Sequence, residues 1–199
     1  MKKTNLLLML LFVVGLTAAI AKPTPVKVNT KASTFNWLAK KVTGEHYGTI
    51  NIQDGTLMVD KGKLTGGDFT IEMNSLTNTD GKDAPNQRLV THLKSADFFD
   101  VEKFPASTFK ITKAVPKGGE NYDITGDLTI KGVKQSVTFP AKVKVDAKGN
   151  VSAEAKFDVD RTKFGLQYRS GSFFENLGDK LIYDTFTVDV KILTGTAAI

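Results

Sequence analysis

From Ser33 onward, apolar and polar residues alternate in short runs, each broken by a turn signal. Phe35 and Trp37 fall on one side of the first run and Thr34 and Asn36 on the other, the period of two of a pleated strand. A glycine-flanked turn, Gly44 to Gly48, precedes Ile50 and Ile52 on a second strand. Asp54-Gly55 then predicts a hairpin, with Leu57 and Val59 on its far side. Asp60 to Lys63 turns the chain again, towards Phe69, Ile71 and Met73. Period two resumes at Phe109 and Ile111, and again at Tyr122, Ile124, Leu128 and Ile130. It continues in Val137, Phe139, Ala141, Val143 and Val145, and in Val151, Ala153, Ala155, Phe157 and Val159. The last run carries Ile182, Phe186, Val188, Val190 and Ile192. In all, about nine strand-like segments are predicted.

One stretch breaks the pattern. Leu89, His92, Leu93 and Ala96 stand at i, i+3, i+4 and i+7, one face of a short α-helix. Asp83 and Pro85 supply its start signal. Phe98, Phe99 and Phe104 follow, and Phe104-Pro105 returns the chain to an extended run, because a proline pushes its predecessor out of the α region. Clean alternation gives each strand one dry and one wet face. The economical arrangement is an all-β, antiparallel up-and-down barrel of about eight strands, which removes exposed edges, with the helix packed on it. A two-sheet sandwich would bury the same faces.

Composition changes this picture mainly at the start of the chain. Lys2-Lys3, the apolar run Leu6 to Leu16 and Ala19-Ile20-Ala21 read as a cleaved signal peptide over residues 1–21. The run is too short for a membrane span. Residues 22–199 then form one domain with its core over about 33–192 and enough chain for a single good core. The expected location is periplasmic or secreted. There is no cysteine, so neither a lipidated cysteine nor a disulfide is available. With Lys2 and Lys3 removed, 27 basic residues become 25 against 21 acidic ones, a surplus of four. That surplus is scattered over the wet faces of strands and not clustered with exposed aromatics, which argues against a nucleic-acid partner. It allows a weak contact with an anionic membrane surface.

Candidate chemistry is sparse. His46 and His92 lack the spacing of a metal site, and no cysteine can join them, so no metal is expected. No nucleophile elbow, phosphate-cradling glycine loop or paired acid motif is present, and the chain does not read as an enzyme. His92 reads as a hydrogen-bonded structural residue on the helix. Arg161, beside Asp160, reads as an ion pair or backbone clamp, with a ligand contact as the alternative. His46, Tyr168 and Arg169 are further candidates for a head-group contact or a polar gate at the barrel mouth.

Gly126 to Val133, His92 to Ser95, Asp97 to Val101 and Phe104-Pro105 together make a set of motifs that resembles the YceI-like family. Gly126 to Val133 (GDLTIKGV) resembles its G-x-L-T-I-x-G-V segment. His92-Leu93-Lys94-Ser95, Asp97 to Val101 (DFFDV) and Phe104-Pro105 resemble its helix and aromatic signature. Asp160-Arg161 with Phe164-Gly165 resembles an element near its C-terminus. Trp37, the Gly44 to Gly48 turn, Ser170 to Phe174 and Leu177-Gly178-Asp179 resemble an exported subgroup. The resemblance implies a lipocalin-like barrel that binds polyisoprenoid or quinone-type lipids without a cofactor, in some members as a homodimer.

An eight-stranded interior is either just filled by side chains or holds one ligand. The inward alanines Ala141, Ala153 and Ala155 suggest room, although alanine facing phenylalanine also describes an ordinary dense core. A lipid cavity would be lined by Phe35, Trp37, Ile50, Ile52, Phe69, Ile71, Leu89, Leu93, Phe109, Ile111, Leu128, Phe139, Ala141, Phe157, Phe186 and Val188. The leading expectation is a non-catalytic carrier or store for a long-chain lipid. The alternatives are a filled, dimeric interaction module and a lipid head-group enzyme using His46 or His92 as base.

Overall fold

The computed structural model describes residues 22–81 and 86–195. The expected signal peptide, residues 1–21, and the expected Asp83-Pro85 start signal lie outside them. The strands are β1 (Thr24–Lys27), β2 (Thr34–Lys41), β3 (Gly44–Thr49), β4 (Asn51–Asp60) and β5 (Lys63–Glu72), followed by the helix α1 (Gln87–Lys94). After it come β6 (Ala106–Gly118), β7 (Asn121–Ile130), β8 (Val133–Val145), β9 (Val151–Asp160) and β10 (Ile182–Leu193). They form one antiparallel sheet in the order β1-β4-β5-β6-β7-β8-β9-β10-β2-β3, not two sheets as in a sandwich.

Ten strands are present where about eight are expected, and their hydrogen bonds explain the difference. β3 and β4 are separated only by Ile50, so the two halves of one long bent segment pair with different neighbours, β3 with β2 and β4 with β1 and β5. Through the bend, Ile50 N–H still donates to Phe35 O at 3.1 Å. β1 likewise runs on towards β10 by the Val28–Thr194 bridge, before the Asn29–Ser33 turn leads into β2 beside the same strand. The ten strands therefore occupy eight lanes, and the sheet curls until its two ends meet.

Two turn expectations are corrected. Asp54-Gly55 is no hairpin but lies inside β4, at a register shift. A Cβ on Gly55 would come within 2.9 Å of both Phe69 Cδ1 and Val28 Cγ2, so the glycine serves close packing. Gly44 to Gly48 is also strand, with the turn just before it at Val42-Thr43. Two tight hairpins use Lys61-Gly62 (φ 50° and 73°) and Lys131-Gly132 (φ 49° and 75°), positive at both positions as a type I′ turn requires.

The helix is also adjusted. Its cap is Asn86, whose side chain accepts from Leu89 N at 3.1 Å, and it ends at Lys94, which leaves Ala96 outside and exposed. Eight residues are too few for a stable isolated helix, so packing must hold it. Val90, which the face prediction omits, is its buried residue, clustered with Trp37, Ile71, Met73 and Leu76. The following turn folds back, with Phe99 and Val101 N–H donating to Leu93 and Lys94 carbonyls at 3.0 Å.

Candidate functional site

The inner faces of the strands converge beneath α1 on a cavity of about 230 Å³. An apolar cavity of ~150 Å³ already stays dry and admits small hydrocarbons, so this volume is large enough for an apolar group. One row of rings crosses its wall and floor. Phe69 meets Phe109 (centroids 6.5 Å apart), Phe109 meets Phe139 (5.6 Å), and Phe139 stacks on Phe157 (3.8 Å, planes 2° apart). Phe109 is on β6 and Phe139 on β8, with β7 between them. They touch because Gly126 of β7 has no side chain; a Cβ there would lie 2.5 Å from the Phe109 ring.

The roof is α1 and the turn after it, with Leu89, His92, Leu93, Phe98 and Phe99 lining the cavity. Asn78 anchors this roof. It is fully buried, donates to Tyr47 O at 3.1 Å and accepts from Asn86 N at 3.1 Å, tying β3 to the start of the helix. Around it, Thr77 and Thr79 N–H donate to Thr49 and Tyr47 carbonyls, both at 2.9 Å, and so cover the free edge of β3. The Trp37 indole N–H reaches Thr77 O at 3.1 Å past Gly48, where a Cβ would sit 2.0 Å from that oxygen. Gly48 is thus required by the close approach of two backbones.

Every expected lining residue borders this cavity except Ile111 and Ala141. Those two belong to the packed cluster at the opposite end, with Tyr122, Ile124, Val143 and Val151. The strand phase for both is right; their height along the barrel is not. The inward alanines do not make room. Ala141 pairs with Ala155 and Val143 with Ala153, and this end is filled by Leu57 and Leu64 from the facing wall.

Of the polar candidates, His46 and Arg161 line the cavity while Tyr168 and Arg169 do not. Tyr168 packs against His92 (4.5 Å) and Phe98 (5.4 Å), and the Arg169 guanidinium lies 5.0 Å over the Tyr168 ring. Arg169 O also accepts from Ile182 N at 3.0 Å. These residues brace the loop after β9 against the roof. His92 in addition contacts Asp97 at 3.3 Å.

Arg161 is a backbone clamp. Buried at the end of β9, it donates to the carbonyls of Leu166, Ile182 (3.0 Å) and Tyr183 (3.1 Å) and lies 3.5 Å from Asp184. Burial alone would raise the Asp184 carboxyl, but hydrogen bonds from Ser170 and Ser172 and the Arg161 charge outweigh it and hold it below the usual carboxylate range. His46 has a similar support, with Nδ1 2.6 Å from Asp80 Oδ2. Asp80 too is held low: burial opposes the shift, but hydrogen bonds from His46 and Asn78 win. A carboxylate at Nδ1 places the ring proton there and fixes the orientation of the imidazole.

Sequence reasoning misses Asp80 and Asn78, hidden in a polar run with no periodicity, and Lys41. Lys41 was legible: it continues the inward phase Phe35, Trp37, Ala39 of β2, and it lines the rim.

Comparison with known proteins gives a consistent result. The protein YceI of Escherichia coli O157:H7 is 41% identical over 109 residues, covering 55% of this chain and 50% of that protein. UPF0312 protein Ent638_1570 of Enterobacter sp. (strain 638) matches to the same extent. The aligned stretch thus spans about half the length of these curated relatives. Among solved structures, Burkholderia cenocepacia BcnA superposes with a TM-score of 0.68 at 20% identity, covering 84% of this chain and 99% of that one. A polyisoprenoid binding domain from Saccharophagus degradans gives 0.62 at 14%, covering 88% and 99%. At such identities these two show the fold alone. Residues 26–193 match the YceI-like domain, and with its sheet, roof helix and motifs in that order the chain belongs to the YceI-like family.

Proposed function

We propose that this protein binds a polyisoprenoid or similar long-chain lipid, quinone-type lipids included, in the cavity beneath α1, as an exported, non-catalytic carrier or store. The observation that carries the reading is the cavity wall, apolar from the Phe139–Phe157 floor to the rim. Family membership and the name of the Saccharophagus domain support the ligand class. Each CH₂ withdrawn from water contributes about 0.8 kcal/mol. A bilayer is equally apolar, so exchange between membrane and barrel is close to neutral, as a carrier needs. Contact with a membrane surface is supported by Val42, Phe173, Phe174 and Tyr183, all about half exposed. Tyr183 lines the cavity, Val42 follows the lining residue Lys41 and donates its N–H to Leu181 O, and Phe173-Phe174 follow Ser172, whose Oγ donates to Asp184.

Protein purified from its host is extracted and weighed by native mass spectrometry, together with an Ala39→Trp variant that plugs the cavity. Wild type is expected to carry a long-chain lipid and the variant to lose it while remaining folded. If none is recovered and none can be loaded from vesicles, the reading fails. The same masses report whether residues 1–21 have been removed and whether two copies pair.

A further inference from the structure

We propose that the rim selects lipids with an anionic head, a phosphate or carboxylate on a long apolar chain; this rests on the cavity holding a lipid. The ionisable residues lining the cavity are Lys40, Lys41, His46, His92, Arg161 and Tyr183, with no aspartate or glutamate among them. The nearby carboxylates lie behind the bases. Asp80 contacts His46, Asp97 contacts His92 and Asp184 contacts Arg161. Each carboxylate orients a basic group without lining the space itself. No carboxylate therefore lines the space where a ligand's polar end must stop.

Lys41 is the direct contact. It extends the inward face of β2 beyond Ala39 and has no ion-pair partner among the described residues, unlike Lys40, whose ammonium lies 4.0 Å from Glu45. His46 is its neighbour on β3, paired in register with Ala39, two residues before Lys41. With Nδ1 engaged by Asp80, its Nε2 has no partner among the described residues. Arg161 has its donors committed to carbonyls and its charge paired with Asp184, so Lys41 carries the contact. An unpaired ammonium at the edge of an apolar tube favours a head that brings a negative charge, and hydrogen bonds to charged groups are the strong ones. A neutral head offers Lys41 no such partner.

Trp37 is the single tryptophan and lines the cavity, so its fluorescence reports occupancy. Titrations compare geranylgeranyl phosphate with geranylgeraniol, palmitate with hexadecanol, and inorganic phosphate alone, on wild type, Lys41→Ala and Lys41→Arg. Wild type is expected to bind each anionic lipid at least about tenfold tighter than its alcohol, the size of a net charge-assisted hydrogen bond. Lys41→Ala is expected to bring that ratio to within about threefold, and Lys41→Arg to keep it. Inorganic phosphate is expected to produce no response at millimolar concentration. Equal binding of acid and alcohol by wild type, or an unchanged ratio in Lys41→Ala, overturns the head-group selection while the lipid reading stands. Saturable binding of inorganic phosphate at the affinity of the ester overturns it as well. Failure of every lipid to bind overturns both.

Discussion

The end of the barrel beneath α1 and the end opposite it share the same lanes and the same inward phase, yet only the first encloses room. At the far end, inward side chains from facing walls meet: Leu57 and Leu64 on β4 and β5 join Val143 and Val151 on β8 and β9 in one cluster. At the near end the walls carry larger rings, Trp37, Phe69, Phe109, Phe139 and Phe157, and still do not meet. The paired inward alanines, Ala141 with Ala155, lie in the filled half, and the stacked Phe139 and Phe157 rings line the hollow one. The near end is closed by a roof from elsewhere in the chain, which covers the space without entering it.

Five substitutions break or sharpen this contrast, in decreasing order of effect. Arg161→Met strips three carbonyls and Asp184 of their donor at the hinge between wall and roof, and it should destabilise by about 3–5 kcal/mol, read by chemical denaturation. A matched pair of leucines comes next. Leu57→Ala, in the filled end, should cost about 3 kcal/mol, against about 1 kcal/mol for Leu93→Ala, whose side chain already faces the cavity. Only the second should alter lipid loading; equal costs would mean that the hollow end is as densely packed as the other.

Asp184→Asn tests the roof hinge by pH. The folded carboxyl is held below its unfolded value of about 3.9, so its contribution is complete above that value and is lost as pH falls through the folded one. The stability gap between wild type and variant should be full at pH 6, should shrink below pH 4, and is read from denaturation at each pH. A gap independent of pH would show that the charge is immaterial. Glu154→Gln, which removes the Lys191–Glu154 pair on the outer wall with both side chains about half exposed, should shift stability by less than about 0.5 kcal/mol at either end.

Much of the site was legible because strand phase is local. Phe35, Trp37, Phe69, Phe157 and Val188 face inward by the same alternation that can be read along the chain. His46 reads as a candidate from its type alone, but Asp80, which orients it, comes from a polar run with no periodicity. Tyr168 and Arg169 misled for the opposite reason: polar residues in a glycine-containing loop look free, and only their packing against His92 shows them to be braces. Asp54-Gly55 carries a hairpin signal that tertiary packing overrides, because Phe69 and Val28 need the space above the glycine.

By itself, the order of residues determined which side of each strand is dry, where the helix lies, and that the segments make an antiparallel all-β fold. A pleat repeats every two residues and a helix every 3.6, so these features need only near neighbours. The tertiary structure alone decided that ten strands share eight lanes, that the hollow lies beneath α1, and that its rim is lined by bases with their carboxylates behind them. Those are properties of distances between segments far apart in the chain, and a cavity is the difference between two walls that no single stretch of sequence contains.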